Sequence, residues 1–62
     1  MKKLLIYLHE YKIKRKDLAE KLGVKRETIT NWIVHNRKPH IATARKLVEA
    51  TNGVITLKDC GH

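Results

Sequence analysis

Apolar residues recur along the chain at the spacing of amphipathic helices. In the first run, Leu4, Leu5, Leu8 and Tyr11 follow an i, i+1, i+4, i+7 pattern without an interrupting glycine or proline. This pattern predicts a helix over about residues 2–10.

Two more helices are predicted on either side of Gly23. The apolar residues before this glycine share one helical face and are Leu18, Ala19 and Leu22. Those after it lie three and four residues apart within 25–34 and are Ile29, Trp32 and Ile33. Glycine readily adopts the left-handed conformation that ends a helix, so the pattern predicts a helix, a sharp turn and a second helix.

A fourth helix is predicted from about His40 to Thr51, after a loop at 35–39 and before the stop signal at 52–53. The segment 54–62 has two interpretations. Its β-branched start favours an extended segment, whereas Thr56 is able to cap one helical turn over residues 57–60. We therefore predict an all-α fold, a compact bundle of four to five helices in one domain over residues 1–62.

The residues around Gly23 meet the steric demands of a helix-turn-helix over about residues 15–34. Ala19 lies four residues before the turn, where two helices pack closest and a larger side chain would separate them. The other inward-pointing positions are all apolar and are Leu18, Leu22, Val24, Ile29 and Trp32. Trp32 repeats the apolar spacing and is interpreted as a core residue rather than a stacking platform for bases.

Positive charge is concentrated in the middle of the chain. The formal net charge is +8, and residues 12–46 contain eleven basic and three acidic residues. Such a concentration is typical of nucleic-acid binding, although a solvated basic face would have the same composition. With 62 residues the chain has little room for an enclosed active site. No nucleophile and base pair stands out, so we expect no enzymatic activity, no small-molecule substrate and no cofactor.

The sequence gives little indication of a metal site, a membrane-spanning segment or a membrane-binding surface. The candidate metal ligands lack paired zinc-site spacing and are His9, His35, His40, Cys60 and His62. No apolar run approaches the ~18 residues of a membrane span, and the basic residues form no single polar face for binding a membrane surface. A lone cysteine forms no internal disulfide, so we expect a cytoplasmic protein.

Residues 15–34, together with the downstream sequence Asn36-Arg37-Lys38-Pro39, resemble the Cro/CI-type helix-turn-helix regulators of phages and bacteria. The stretch 44–56 is similar to the small Cro-like group of the YdaS type. The resemblance implies a lambda-repressor-like domain that binds operator DNA, usually as a dimer. The chain departs from this pattern at Lys25, where a capping Ser, Thr or Asn is common, at Asn36, where Gly is frequent, and at the ending 57–62.

The third helix is expected to enter the major groove and to read bases with the polar residues that face away from the core. Arg26 is expected to donate hydrogen bonds to O6 and N7 of a guanine, and Asn31 to pair with the edge of an adenine. Glu27 is expected to accept a hydrogen bond from a cytosine, and Thr30 to offer its hydroxyl or contact a thymine methyl. A second interpretation of Glu27 is a contact with Asn31 or a role in holding Arg26. The residues expected to bind phosphate flank this helix and are Lys14, Arg15, Lys16, Lys25, Arg37 and Lys38.

One such domain reads few base pairs, so we expect a homodimer on a pseudo-palindromic operator with half-sites about 34 Å apart. Val54, Ile55 and Leu57 are the apolar residues left for a dimer surface, but they are equally suited to fold back onto the first helix. Two functions remain open. One is a transcriptional regulator, in particular a repressor, and the other is an antitoxin or protein-interaction module that binds DNA for autoregulation.

Overall fold

Four α-helices form the structure, a computed structural model that describes all residues 1–62. They are α1 (Lys2–Glu10), α2 (Arg15–Leu22), α3 (Arg26–Val34) and α4 (Ile41–Ala50), and there are no strands. The predicted all-α fold is confirmed, and the predicted bounds of α1, α3 and α4 agree with these to within one residue. The connection between α2 and α3 is the predicted tight turn, in which Gly23 is left-handed with φ +71°.

Most helices end through the same pair of hydrogen bonds. At the end of α2, Val24 N donates to Ala19 O at 3.0 Å and Gly23 N donates to Glu20 O at 3.2 Å. This is the Schellman arrangement, in which a left-handed residue lets the chain leave the helix while satisfying its last carbonyls. The corresponding bonds end α1, α4 and the turn at 57–60, where the left-handed residues are Lys12, Asn52 and Gly61.

Helix α2 packs against α3 and α4, and α1 packs against α3. Eleven buried residues form one hydrophobic cluster, and they are Leu4, Leu8, Leu18, Ala19, Leu22, Ile29, Trp32, Ala44, Leu47, Ile55 and Cys60. Trp32 is 4% exposed, which confirms its core position. Val24 is only half-buried, so five of the six inward helix-turn-helix positions are buried rather than all six.

Several apolar residues of the predicted helical stripes lie outside the core. Leu5 is 39% exposed, Tyr11 58% and Ile41 44%. Neighbouring residues on an α-helix point about 100° apart, so Leu4 faces the core while Leu5 points away from it.

Residues 56–62 form a single helical turn that ends at a left-handed Gly61, and we call this segment the capped turn. Asp59 N donates to Thr56 Oγ1 at 3.2 Å, and Thr56 N donates to Asp59 Oδ2 at 2.9 Å. This reciprocal capping box confirms the predicted turn over residues 57–60. Val54 and Ile55, for which an extended segment was the alternative, form a bend and no strand. Just before it, Ile55 N donates to the buried Thr51 Oγ1 at 3.1 Å, and Ile55 is fully buried. Ile55 therefore belongs to the monomer core rather than to a dimer surface.

Candidate nucleic-acid interface

Helix α3 presents the four predicted base-reading residues on one side. Arg26 and Glu27 lie exposed in its first turn, and Thr30 and Asn31 lie half-buried one turn later. Residues four apart share a helical face, so these two pairs form one continuous polar surface. The opposite face is anchored in the core by Ile29 and Trp32. The structure thus brings all four residues together on the outer face of the helix-turn-helix.

One side-chain hydrogen bond joins this polar surface to α2. Arg15 Nη1 donates to Thr30 Oγ1 at 3.2 Å, and Thr30 Oγ1 donates to Arg26 O at 3.3 Å. The guanidinium of Arg15 therefore lies beside the polar face of α3, and Arg15 is half-buried, while Lys14 and Lys16 are exposed. These two bonds use the hydrogen and one lone pair of the Thr30 hydroxyl, so its second lone pair and its methyl group remain without a partner.

Glu27 forms no salt bridge with Arg26. The one salt bridge in the structure joins Lys3 Nζ to Asp59 Oδ2 at 3.0 Å, away from α3. No hydrogen bond joins Glu27 to Asn31 either, so its carboxylate lies free at the start of α3.

The loop after α3 is held by bonds from two directions. Asn31 O accepts from His35 N at 3.0 Å and from Arg37 N at 3.2 Å, and Asn36 is left-handed with φ +55°. The α-ammonium group of Met1 donates to Trp32 O at 2.9 Å and to Asn36 Oδ1 at 3.4 Å. Arg37 and Lys38 remain exposed on this loop. The hydrogen bonds from Met1 could not be predicted from the sequence, because no local spacing rule relates residues that are so far apart along the chain.

The helices of this region begin without side-chain caps. The N-cap residues of α2, α3 and α4 are Lys14, Lys25 and His40, and none of them makes a capping hydrogen bond. The departure of Lys25 from the usual capping residues thus leaves the N-terminus of α3 uncapped. First-turn N–H groups and the helix dipole favour an anion there, and basic side chains beside them add to the positive potential.

The two groups with clearly shifted pKa values both lie in the capped turn. The backbone N–H of Thr56, and then Lys3, lower the pKa of Asp59. Burial, and then the charge of Asp59, raise the pKa of Cys60. No three His, Cys, Asp or Glu side chains come together as a group of metal ligands. None of the helices is both long enough and apolar enough to cross a membrane.

Comparison with known proteins gives one match. A family model described as helix-turn-helix matches residues 1–54, which include all four helices and leave residues 55–62 outside the match. No curated protein and no solved structure matches the chain.

Proposed function

Because this chain belongs to the helix-turn-helix family of DNA-binding transcription regulators, we propose that it is a Cro-like repressor of bacterial or phage origin, close to the YdaS type. Residues 1–62 act as one DNA-binding domain in the bacterial cytoplasm or nucleoid. The observation that carries the proposal is the outer face of α3, where four polar side chains lie together. Arg15 of α2 binds to Thr30 on this face, and the loop that follows α3 exposes Arg37 and Lys38.

The base-reading roles follow from the chemistry of each side chain on that face. Arg26 donates two hydrogen bonds to guanine, Asn31 pairs with the edge of adenine, and exposed Glu27 accepts from cytosine. Thr30 contacts a thymine methyl or accepts a hydrogen bond through the hydroxyl lone pair that Arg15 leaves open.

The phosphate contacts fix the orientation of α3 in the groove. They are assigned to Lys14, Arg15, Lys16, Lys25, Arg37 and Lys38, which flank the polar face of α3 on both sides. About five or six contacts per monomer would release the corresponding counterions, each adding about −0.9 to the slope of log affinity against log salt.

The size of the molecule favours binding as a homodimer. The backbone extends 26 Å along its longest axis, which is shorter than the repeat of about 34 Å that separates two equivalent major-groove sites. One copy therefore reads a single half-site, and two copies on a pseudo-palindromic operator supply the specificity of a repressor.

Selection of bound duplexes from a random DNA pool tests the proposal. A symmetric consensus with two half-sites is the expected result, and binding should weaken steeply with salt. No enriched sequence would contradict specific recognition and favour a protein-interaction module such as an antitoxin. Affinity that does not depend on salt would contradict the phosphate contacts.

Substitutions then test the assignment of bases on the selected site. Arg26→Ala and Asn31→Ala should each weaken binding by about 1 to 3 kcal/mol and relax preference at one base pair. Arg45→Ala is the matched control, since Arg45 is an exposed arginine on α4 outside the proposed base-reading set. Equal losses on all sequences would reassign Arg26 and Asn31 to phosphate contacts.

A further inference from the structure

The capped turn lies beside the loop that presents Arg37 and Lys38. His62 Nε2 lies 2.8 Å from Pro39 O, within hydrogen-bond distance. Cys60 is 2% exposed and anchors the turn in the core, while Asp59 ties it to Lys3 of α1. These residues lie outside the segment that matches the helix-turn-helix family model, so membership of the family does not explain their role.

Lys38 is in close contact with this turn. A β-carbon at Gly61 would lie 2.8 Å from Lys38 Cδ, 2.9 Å from Cε and 3.1 Å from Cγ. Three consecutive carbons of the lysine side chain therefore lie against the Gly61 backbone, and a β-carbon at this position would displace the Lys38 side chain. Gly61 is also left-handed, with φ +86°, which is a second reason for glycine at this position.

This packing restricts a side chain that would otherwise be mobile. A lysine side chain has many rotamers in solution and loses that freedom when its ammonium binds a phosphate. The apolar stem of Lys38 lies over the turn while the residue remains exposed, and this packing narrows the range of directions open to its ammonium group. The contact between His62 and Pro39 holds the backbone of the same loop.

We propose that the capped turn is a positioning element for DNA binding, in which Gly61 and His62 hold Lys38 and the Pro39 backbone so that Lys38 meets a backbone phosphate. The inference rests on the proposed function, because it requires that Lys38 contact DNA. It adds that residues 56–62, which do not touch the bases themselves, contribute to affinity for every DNA sequence.

Two glycine substitutions separate positioning from backbone strain. Gly61→Ala places a β-carbon against Lys38, whereas Gly53→Ala imposes similar strain at φ +82° with no atom within 4 Å of the new carbon. Both variants are titrated with a random-sequence duplex over a range of salt concentrations, at a temperature where circular dichroism shows each to be folded. We expect Gly61→Ala to lower affinity severalfold and to reduce the salt slope by about one contact, and Gly53→Ala to leave the slope unchanged.

The same substitution in a Lys38→Ala background identifies the route of the effect. If Gly61 acts through Lys38, Gly61→Ala should have little further effect once Lys38 is removed. Equal salt slopes for Gly61→Ala and Gly53→Ala, or an undiminished loss of affinity in the Lys38→Ala background, would overturn the inference.

If Gly61→Ala does not fold, His62→Ala is measured instead, in the wild-type and Lys38→Ala backgrounds, with the same criteria. If the unmodified protein binds no duplex at any salt concentration, the proposed function itself is contradicted. If the unmodified protein binds normally and the two glycine variants do not differ, only the positioning role of the capped turn is contradicted.

Discussion

Asp59 connects the capped turn to the rest of the molecule. Its carboxylate accepts hydrogen bonds from Thr56 N and from Lys3 Nζ, and these bonds lower its pKa from an ordinary value of 3.8. A carboxyl group with a lower pKa in the folded state stabilises the fold above its unfolded pKa, and the stabilisation is lost as pH falls through the folded pKa.

Replacing this carboxylate should therefore change both stability and its dependence on pH. We expect Asp59→Ala to lower the free energy of unfolding at pH 7 by on the order of 1 kcal/mol, as for the loss of a helix cap. The difference from the unmodified protein should shrink as pH falls below about 4. Urea denaturation between pH 7 and pH 2.5 measures it, with Asp17→Ala, at an exposed aspartate in no salt bridge, as the control. A difference that stays constant with pH would contradict the role of the carboxylate.

At this scale the sequence predicted the types of residue in the candidate site but not their pairing. Arg26, Glu27, Thr30 and Asn31 could be placed on one face because helical spacing alone determines that arrangement. The bond between Arg15 and Thr30 could not be predicted, since it depends on the crossing of α2 and α3.

The sequence predicted the end of a helix where a glycine or an asparagine, the residues that most readily adopt the left-handed conformation, follows the helix. Gly23 indicated the end of α2, and Asn52 and Gly53 indicated the end of α4. Lys12 ends α1 in the same left-handed conformation with φ +52° but carries no such signal. This conformation costs a non-glycine residue about 1 to 2 kcal/mol. The hydrogen bonds from Lys12 N to His9 O and from Ile13 N to Leu8 O close the turn around it.

Missing helix caps lead to a prediction that separates stability from binding. Lys25→Ser supplies a side-chain acceptor to the N-terminus of α3, and His40→Ser does the same for α4. Each should stabilise the fold by roughly 0.5 to 2 kcal/mol. Only Lys25→Ser removes a proposed phosphate contact, so only this variant should bind DNA more weakly. Thermal unfolding and DNA titration of both proteins measure the two effects, and equal affinity of the two variants would remove Lys25 from the interface.

For the molecule as a whole, stability depends on a core to which the segment after α4 contributes. A 62-residue domain is typically stable by about 3 to 9 kcal/mol. Truncating a fully buried isoleucine to alanine costs about 2 to 5 kcal/mol, which is a large part of that total. We therefore expect Ile55→Ala to lower the melting temperature by at least about 10 °C. Val54→Ala, at a residue 38% exposed, should change stability by less than about 1 kcal/mol.

Circular dichroism melting curves and sedimentation of both variants test this prediction. A folded Ile55→Ala protein that had lost only its ability to dimerise would contradict the core position of Ile55. The sequence left this question open because an apolar residue in a core and one in a dimer surface look alike along the chain. What distinguishes them is burial in the folded chain, where Ile55 is fully enclosed in the core cluster.

The repeated Schellman ends bear on how quickly the protein assembles. Each of these chain reversals closes within five residues of sequence, so the contacts that form it require little search through the unfolded ensemble. Small helical domains built from such local contacts fold in microseconds to milliseconds. A molecule that opens transiently should therefore restore its DNA-binding face quickly, and the lifetime of a complex on DNA should reflect the contacts made there rather than the time taken to refold.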